Sequence, residues 1–375
     1  LLPYGRQSVD ESDVSAVEAV LRGDWLTTGP SVSAFEEDLR RICGTSSVVS
    51  VTSGTAALHV AYAALQVGKG DEVVTTPLTF VATASCASVL GATIVFADIS
   101  EDTGNLDPQE VSAVMTGRTR VVAGVDYAGH PIDAPALSEV AHEGEAVLLE
   151  DAAHSFGGSL EGRAVGSLAD VTTFSFFPTK NLTTAEGGAV VSLHAEILDR
   201  ARSYRSIGLT RDPALLRFKD EGPWHQEVHT FGLNYRLPDI LCALGSSQLL
   251  RLPAFKARRE AITARYNQGL SGIDELRLPA RREGADPMWH LYPLRIRDGR
   301  RRALFEHLRA NDIGVQVNYM PVYWHPVYAD LGYLRGTCPV AEAYYAQQIS
   351  LPLFPDLSDA DVDRVIELVR GFVGA

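Results

Sequence analysis

From about residue 45 the chain alternates short β-branched runs with amphipathic stretches, and this alternation limits the available folds more than any other feature. Strands joined through helices lie side by side in parallel, because a parallel neighbour needs a crossover and a helix is the usual one. Ser47 to Val51, Glu72 to Thr76, Thr93 to Ala97, Arg120 to Asp126, Ala146 to Leu149, Val171 to Phe177 and Gly188 to Ser192 read as buried strands. Gly54 to Leu65, Pro108 to Met115 and Ala134 to His142 read as helices between them. After roughly residue 245 the pattern changes to a long charged helix near Pro253 to Leu270, strands around His290 to Ile296 and Gly314 to Val317, and a last helix, Asp359 to Phe372. At 375 residues a single core stops growing. The expectation is an α/β protein: residues 1–245 form an N-terminal arm and a large domain on a mainly parallel seven-stranded sheet, and residues 246–375 a smaller α+β domain.

The net charge of −14 opposes general attraction to nucleic acid or anionic membranes, so neither is expected as a partner. An anionic small substrate is compatible with that charge, since a few Arg side chains or backbone N–H groups in a cleft outweigh a distant field. Cys43, Cys86, Cys242 and Cys338 lie far apart and form no CxxC pair, which implies reduced thiols and no metal site. The first residues, Leu1 to Arg6, lack a signal-peptide pattern, and no apolar run of about 18 residues is present, so the cytoplasm is the expected location.

Three stretches suggest chemistry. Ser53-Gly54-Thr55 follows a strand and opens a helix, where free N–H groups and the helix dipole favour an anion; the plain alternative is an N-terminal cap. Glu150-Asp151-Ala152-Ala153-His154 ends a very apolar strand, the place where ligands collect in open α/β sheets. A carboxylate there can keep a pyridine nitrogen protonated, or it can cap a helix; His154 reads as a polar helper. Lys180 follows Phe174-Ser175-Phe176-Phe177, an apolar setting that favours the neutral amine needed for a Schiff base.

The joint occurrence, in chain order, of Gly54-Thr55, Asp151, and Ser175 with Lys180 resembles fold-type I enzymes dependent on pyridoxal 5'-phosphate (PLP). More narrowly, Trp25-Leu26-Thr27-Thr28-Gly29-Pro30, Ser53 to His59, Glu150 to His154 and Gly232-Leu233-Asn234-Tyr235-Arg236 look like the DegT/DnrJ/EryC1/StrS sugar aminotransferase family. The resemblance runs from the arm to Ser350-Leu351-Pro352-Leu353. It implies that Lys180 is catalytic and holds the cofactor covalently, and that Asp151 faces the pyridine nitrogen. It further implies that Gly54, Thr55 and Ser175 bind the phosphate, with Asn234 reaching in from the second subunit of a homodimer. Phe80 takes the position of the ring-stacking aromatic, and His154 lies near the ring hydroxyl.

The implied reaction moves an amino group from a donor, commonly L-glutamate, through pyridoxamine 5'-phosphate (PMP) to a keto sugar carried on a nucleotide. Gly124 to Gly129, Thr184 to Val191, His290-Leu291-Tyr292-Pro293 and Gly314 to Tyr323 resemble the branch that aminates C4 of 4-keto-6-deoxy hexosamines towards pseudaminic acid. The Ser53 to Ala56 turn and His130-Pro131 depart from that branch, which leaves the hexose and the nucleotide open, and an antibiotic pathway as open as a surface sugar. Thr28 falls in a segment expected at the entrance, and Arg236 suits a diphosphate or the cofactor loop. Tyr319, His325 and Tyr328 could face the sugar or nucleotide, or pack the small domain. The alternatives are a sugar dehydratase using the same cofactor, whose relatives carry histidine in place of Lys180, and a non-catalytic regulatory protein on the same fold.

Overall fold

A computed structural model describes residues 1–374. Seven strands form the main sheet: β1 (Val48–Val51), β2 (Glu72–Thr75), β3 (Thr93–Phe96), β4 (Thr119–Val125), β5 (Val147–Asp151), β6 (Val171–Ser175) and β7 (Gly188–Ser192). Their order across the sheet is β1-β7-β6-β5-β4-β2-β3. All neighbours are parallel except around β7, which runs antiparallel to both β1 and β6. Helices supply the crossovers from β1 through to β5, whereas β5 reaches β6 through residues 152–170, which hold no helix but a short hairpin, Ser159–Leu160 with Arg163–Ala164. Residues 176–187 contain no helix, so after β6 the chain folds straight back and β7 enters reversed.

Both faces of the sheet are covered, which is why its strands read as nearly continuous apolar runs. Leu149, Val121 and Ala123 face a core shared with the helices Gly54–Ala64 and Ala195–Arg205. Leu148 and Val122, one residue out of phase, face a second core with Pro30–Cys43, Ala134–Glu143 and Asp239–Leu249. Val125 pairs with Asp151, Asp151 with Thr173 and Ser175 with Gly188, so β4 and β5 end level and β6 runs two residues beyond them.

A third core, including Ile262, Tyr266, Leu294, Leu304 and Val365, lies between a small antiparallel sheet and three helices. That sheet has the order Leu276–Arg277, Tyr292–Ile296, Gln348–Leu351. The helices are Leu252–Leu270, Arg301–Ala310 and Asp359–Val373. The strand expected over Gly314 to Val317 is reduced to one bridge, Gln316 with Ser350. The reason is competition from the arm. Leu2 N–H donates to Asp312 O at 2.8 Å, Gly314 N–H donates to Leu2 O at 2.6 Å, and Leu353 N–H donates to Tyr4 O at 3.0 Å. Among the described residues no helix is long and apolar enough to cross a membrane.

Candidate active site

The ends of β4, β5 and β6 and the start of the helix Gly54–Ala64 enclose a cavity of about 680 Å³. Its walls include Gly54, Thr55, Phe80, Asp151, His154, Ser175, Lys180 and Tyr319. These residues span the chain from 54 to 319, and the topology brings them to one place.

The helix begins where an anion can be held. Ser53 caps it, its Oγ accepting from Ala56 N–H at 3.0 Å. That leaves first-turn N–H groups of Gly54 and Thr55 without intrahelical acceptors, beside the Ser175 hydroxyl. The approach of helix and strand is close: a Cβ on residue 54 would stand 2.6 Å from Ser175 Cβ and 2.8 Å from its Oγ. Behind it, a Cβ on residue 188 would stand 2.5 Å from Ser53 O. Glycine at both positions lets the strand end and the helix start form one cradle.

Asp151 closes β5 and is buried. Its Oδ2 accepts from Thr83 Oγ1 at 2.7 Å, and its Oδ1 from Ala153 N–H at 3.2 Å. Thr79 Oγ1 lies 2.9 Å from Thr83 Oγ1. A carboxylate only accepts, so Thr83 spends its proton on Asp151 and Thr79 donates to Thr83. Burial raises the Asp151 carboxyl, while the Thr83 bond and the charge of Lys180 hold it down. No helix follows Asp151, so the helix-capping alternative does not apply.

Lys180 follows β6 on a turn in which its N–H donates to Phe177 O at 2.9 Å. Enclosure in the cavity pushes its ammonium down to about 8, with the charge of Asp151 opposing. The amine is therefore substantially neutral near pH 8, which a nucleophile requires.

His154 stands across the cavity with its Nε2 3.2 Å from the Tyr319 hydroxyl. Its ring centroid lies 4.4 Å from that of His290, tilted by 40°. Burial, reinforced by the charge of Lys180, holds His154 well below the usual imidazole range, and His290 is held down likewise. Both are neutral, and the Nδ1 of each is buried without a partner. Phe80 is 57% exposed at the mouth, 6.2 Å from Tyr319 by ring centroids.

Five residues considered for the site do not line this cavity. Asn234 is exposed on the segment leading out of a small hairpin and bridges to Ser206. Thr28 is exposed, and the segment Trp25 to Pro30 is tied down by Asp239, whose carboxylate accepts from Gly29 and Ser31 N–H at 2.8 and 2.9 Å. Arg236 is half-buried outside the cavity, and His325 opens a short helix. Tyr328 packs in the core and lies 3.3 Å from Ser88 Oγ. Sequence reasoning did not assign site roles to Tyr4, Thr83 and His290, which all line the cavity. For His290 a signal existed in the stretch His290-Leu291-Tyr292-Pro293; Tyr4 and Thr83 reach the cavity only through long-range packing.

The cavity suits a planar, phosphorylated pyridine aldehyde. Its lining offers an anion cradle, a buried carboxylate, an amine and two neutral imidazoles with unused nitrogens. Among the described residues no group of His, Cys, Asp or Glu is arranged to hold a metal ion.

The comparisons with known proteins agree. The spore coat polysaccharide biosynthesis protein SpsC of Bacillus subtilis is 38% identical over 378 residues, covering 99% of this chain and 97% of SpsC. Spr1654 of Streptococcus pneumoniae, in its PMP form, superposes with a TM-score of 0.94 at 30% identity, covering 100% of this chain and 99% of that one. It has also been solved with PLP. PseC of Helicobacter pylori, an aminotransferase involved in the biosynthesis of pseudoaminic acid, gives a TM-score of 0.92 at 29% identity over 100% of this chain and 99% of its own. The profile of the DegT/DnrJ/EryC1/StrS aminotransferases matches residues 7–370, and the chain belongs to that family of PLP-dependent sugar aminotransferases, on the fold-type I architecture.

Proposed function

We propose that this enzyme transfers an amino group from L-glutamate to the C4 keto group of a nucleotide-linked 4-keto-6-deoxy sugar, in the biosynthesis of an amino sugar for an antibiotic or a surface polysaccharide. The observation that carries the reading is Lys180, a depressed amine in the same cavity as the buried, hydrogen-bonded carboxylate of Asp151. The similarity to PseC and SpsC supports a sugar as acceptor.

The bound cofactor supplies an electron sink that labilises the proton on the carbon bearing the nitrogen. In our reading Asp151 holds the pyridine nitrogen protonated, and Thr83 and Ala153 keep its carboxylate aimed. Gly54, Thr55 and Ser175 would seat the phosphate, Phe80 would lie against the ring and His154 would meet the ring hydroxyl. Lys180 Nζ takes the proton from the donor carbon and later returns one to the sugar carbon, so one amine serves both halves of the reaction. We assign Tyr319, which shares a hydrogen bond with His154, a contact with the sugar.

The assembly we propose is a homodimer with shared sites. The segment before Asn234 exposes large apolar side chains, Phe231 at 97% and Trp224 at 79%. Such exposure marks an interaction surface. With a second copy seated there, Asn234 would reach the partner's phosphate cradle, and Thr28, Arg236 and His325 would lie along the path of the nucleotide. We place the enzyme in the cytoplasm, where nucleotide sugars are made, and divide the chain into lobes 1–245 and 246–375.

The test is the visible spectrum of the protein supplied with PLP, before and after L-glutamate, followed by a panel of UDP-, dTDP- and GDP-linked keto sugars. A band that fades with glutamate in the wild type, and is absent from Lys180→Ala, supports the first half of the reaction. Product carrying nitrogen at C3 instead of C4 would overturn the regiochemistry, and a monomeric mass with full activity would overturn the shared site.

A further inference from the structure

Arg259, on the long helix Leu252–Leu270, is 1% exposed, and among the described residues no carboxylate pairs with it. A buried cation without a counter-ion is costly, and apolar replacements of buried charges are often neutral or stabilising. Its contacts explain what it holds. Nη1 donates to Trp289 O at 3.2 Å and to Leu353 O at 3.1 Å. Trp289 immediately precedes His290, and Leu353 N–H donates to Tyr4 O at 3.0 Å. His290 and Tyr4 both line the cavity that holds Lys180.

We infer that Arg259 is a positioning residue of this site: its guanidinium ties the carbonyls of Trp289 and Leu353 together and so sets the walls formed by His290 and Tyr4. The inference rests on the reading of the Lys180 cavity as the active site. A planar guanidinium can serve two carbonyls from a fixed plane, whereas an ammonium is a compact point donor.

Arg259 also acts through its charge. The titratable groups facing His290 are His154, Lys180 and Arg259, with Tyr319 beyond His154 and Asp151 near Lys180. After burial, His154 and Lys180, the Arg259 cation further opposes a proton on His290. Burial pushes the guanidinium itself down only to about 10, so it stays charged at neutral pH. A neutral His290 beside a neutral His154 presents lone pairs and N–H groups to the cavity without adding positive charge near Lys180.

The experiment compares Arg259→Met and Arg259→Lys with the wild type in the PLP-loaded protein. It reads the imidazole titration of His290 by NMR, assigned with His290→Asn, together with kcat and KM for the amino donor. Arg259→Met is expected to move the His290 titration upward and to lower kcat roughly 10-fold to 100-fold, the scale of a misplaced wall. Arg259→Lys is expected to restore the titration but not kcat, because charge returns and the two-carbonyl clamp does not. A folded Arg259→Met with wild-type titration and kcat overturns the proposal. If Arg259→Met does not fold, wild-type kcat in Arg259→Lys overturns it. Absence of a visible cofactor band in the wild type would instead sink the reading of the cavity, a failure seen before any variant is made.

Discussion

Gly54 and Ser175 stand so close that a single methyl group on residue 54 would fall 2.6 Å from the serine Cβ. That distance is too short for two non-bonded carbons, so one of the two backbones has to withdraw. Gly54→Ala is expected to destabilise the fold by about 1–3 kcal/mol and to weaken retention of PLP more than that loss explains. Thermal unfolding with and without added PLP checks this. Equal shifts in both would mean that the contact serves packing alone.

Thr83 provides the shortest hydrogen bond to Asp151 and is itself held by Thr79. Thr83→Val keeps the shape and leaves a buried carboxylate oxygen without its donor, at about 1–3 kcal/mol. Because that bond lowers the Asp151 carboxyl, its loss raises it further. The acid limb of the pH–rate profile should therefore move to higher pH, while Asp151→Asn should cost kcat roughly 10²-fold or more. A Thr83→Val profile superposing on the wild type would count against Asp151 as the acidic limb.

Lys180 titrates low because the cavity encloses it. In protein stripped of PLP, its labelling by an amine-reactive reagent should rise with a midpoint near 8, against 10.5 for an ordinary lysine. The folded state binds this proton more weakly than the unfolded chain does, so its contribution to stability grows as pH rises between those values. Lys180→Met should remove that part of the slope and lower turnover by roughly 10²-fold to 10⁴-fold or more. A labelling midpoint near 10.5 would contradict the enclosure.

On the opposite face from the cavity core, Glu150 and Asp126 are both fully buried. Thr172 Oγ1 donates to one oxygen of Glu150 at 2.9 Å, and Ile132 N–H and the Ser155 hydroxyl donate to Asp126. Burial raises both carboxyls, Glu150 to about 7, and the nearby Glu150 charge adds to the effect on Asp126. The folded state thus keeps a proton that the unfolded chain releases above about 4.5. Stability from this source is present at low pH and is lost as pH climbs from about 4.5 to about 7. Glu150→Gln should flatten that decline, measured by denaturant unfolding at pH 5 and pH 8. A slope unchanged by the substitution would show that Glu150 does not hold that proton.

The parts of the site carried by local sequence were legible in it. Gly54, Asp151, Ser175 and Lys180 each sit at a junction between strand and helix or turn, and short apolar runs announce such junctions. The strand Gly188–Ser192 was found to the residue, but its reversed direction depends on the absence of a helix over residues 176–187. The arm was harder to read, because Leu2 and Tyr4 acquire their partners more than 300 positions away, at Asp312 and Leu353. The same holds for Tyr319 and Tyr328: nine residues apart and similar in sequence setting, one reaches His154 while the other packs against Phe96 at 6.0 Å. A short helix from Pro326 to Ala329 turns the second away, and no periodicity announces a helix of four residues.

The pairing of the arm with Asp312, Gly314 and Leu353 also sets an order of events during synthesis. Leu2 and Tyr4 leave the ribosome long before the groups that hold them, which emerge only after more than 300 further residues have been translated. Once Ser192 has emerged, the sheet and the Lys180 turn are outside, while the wall bearing Tyr4 lacks its anchor until Leu353 follows. The cavity is thus finished last, and a nascent chain with its strands in place is still open on that side.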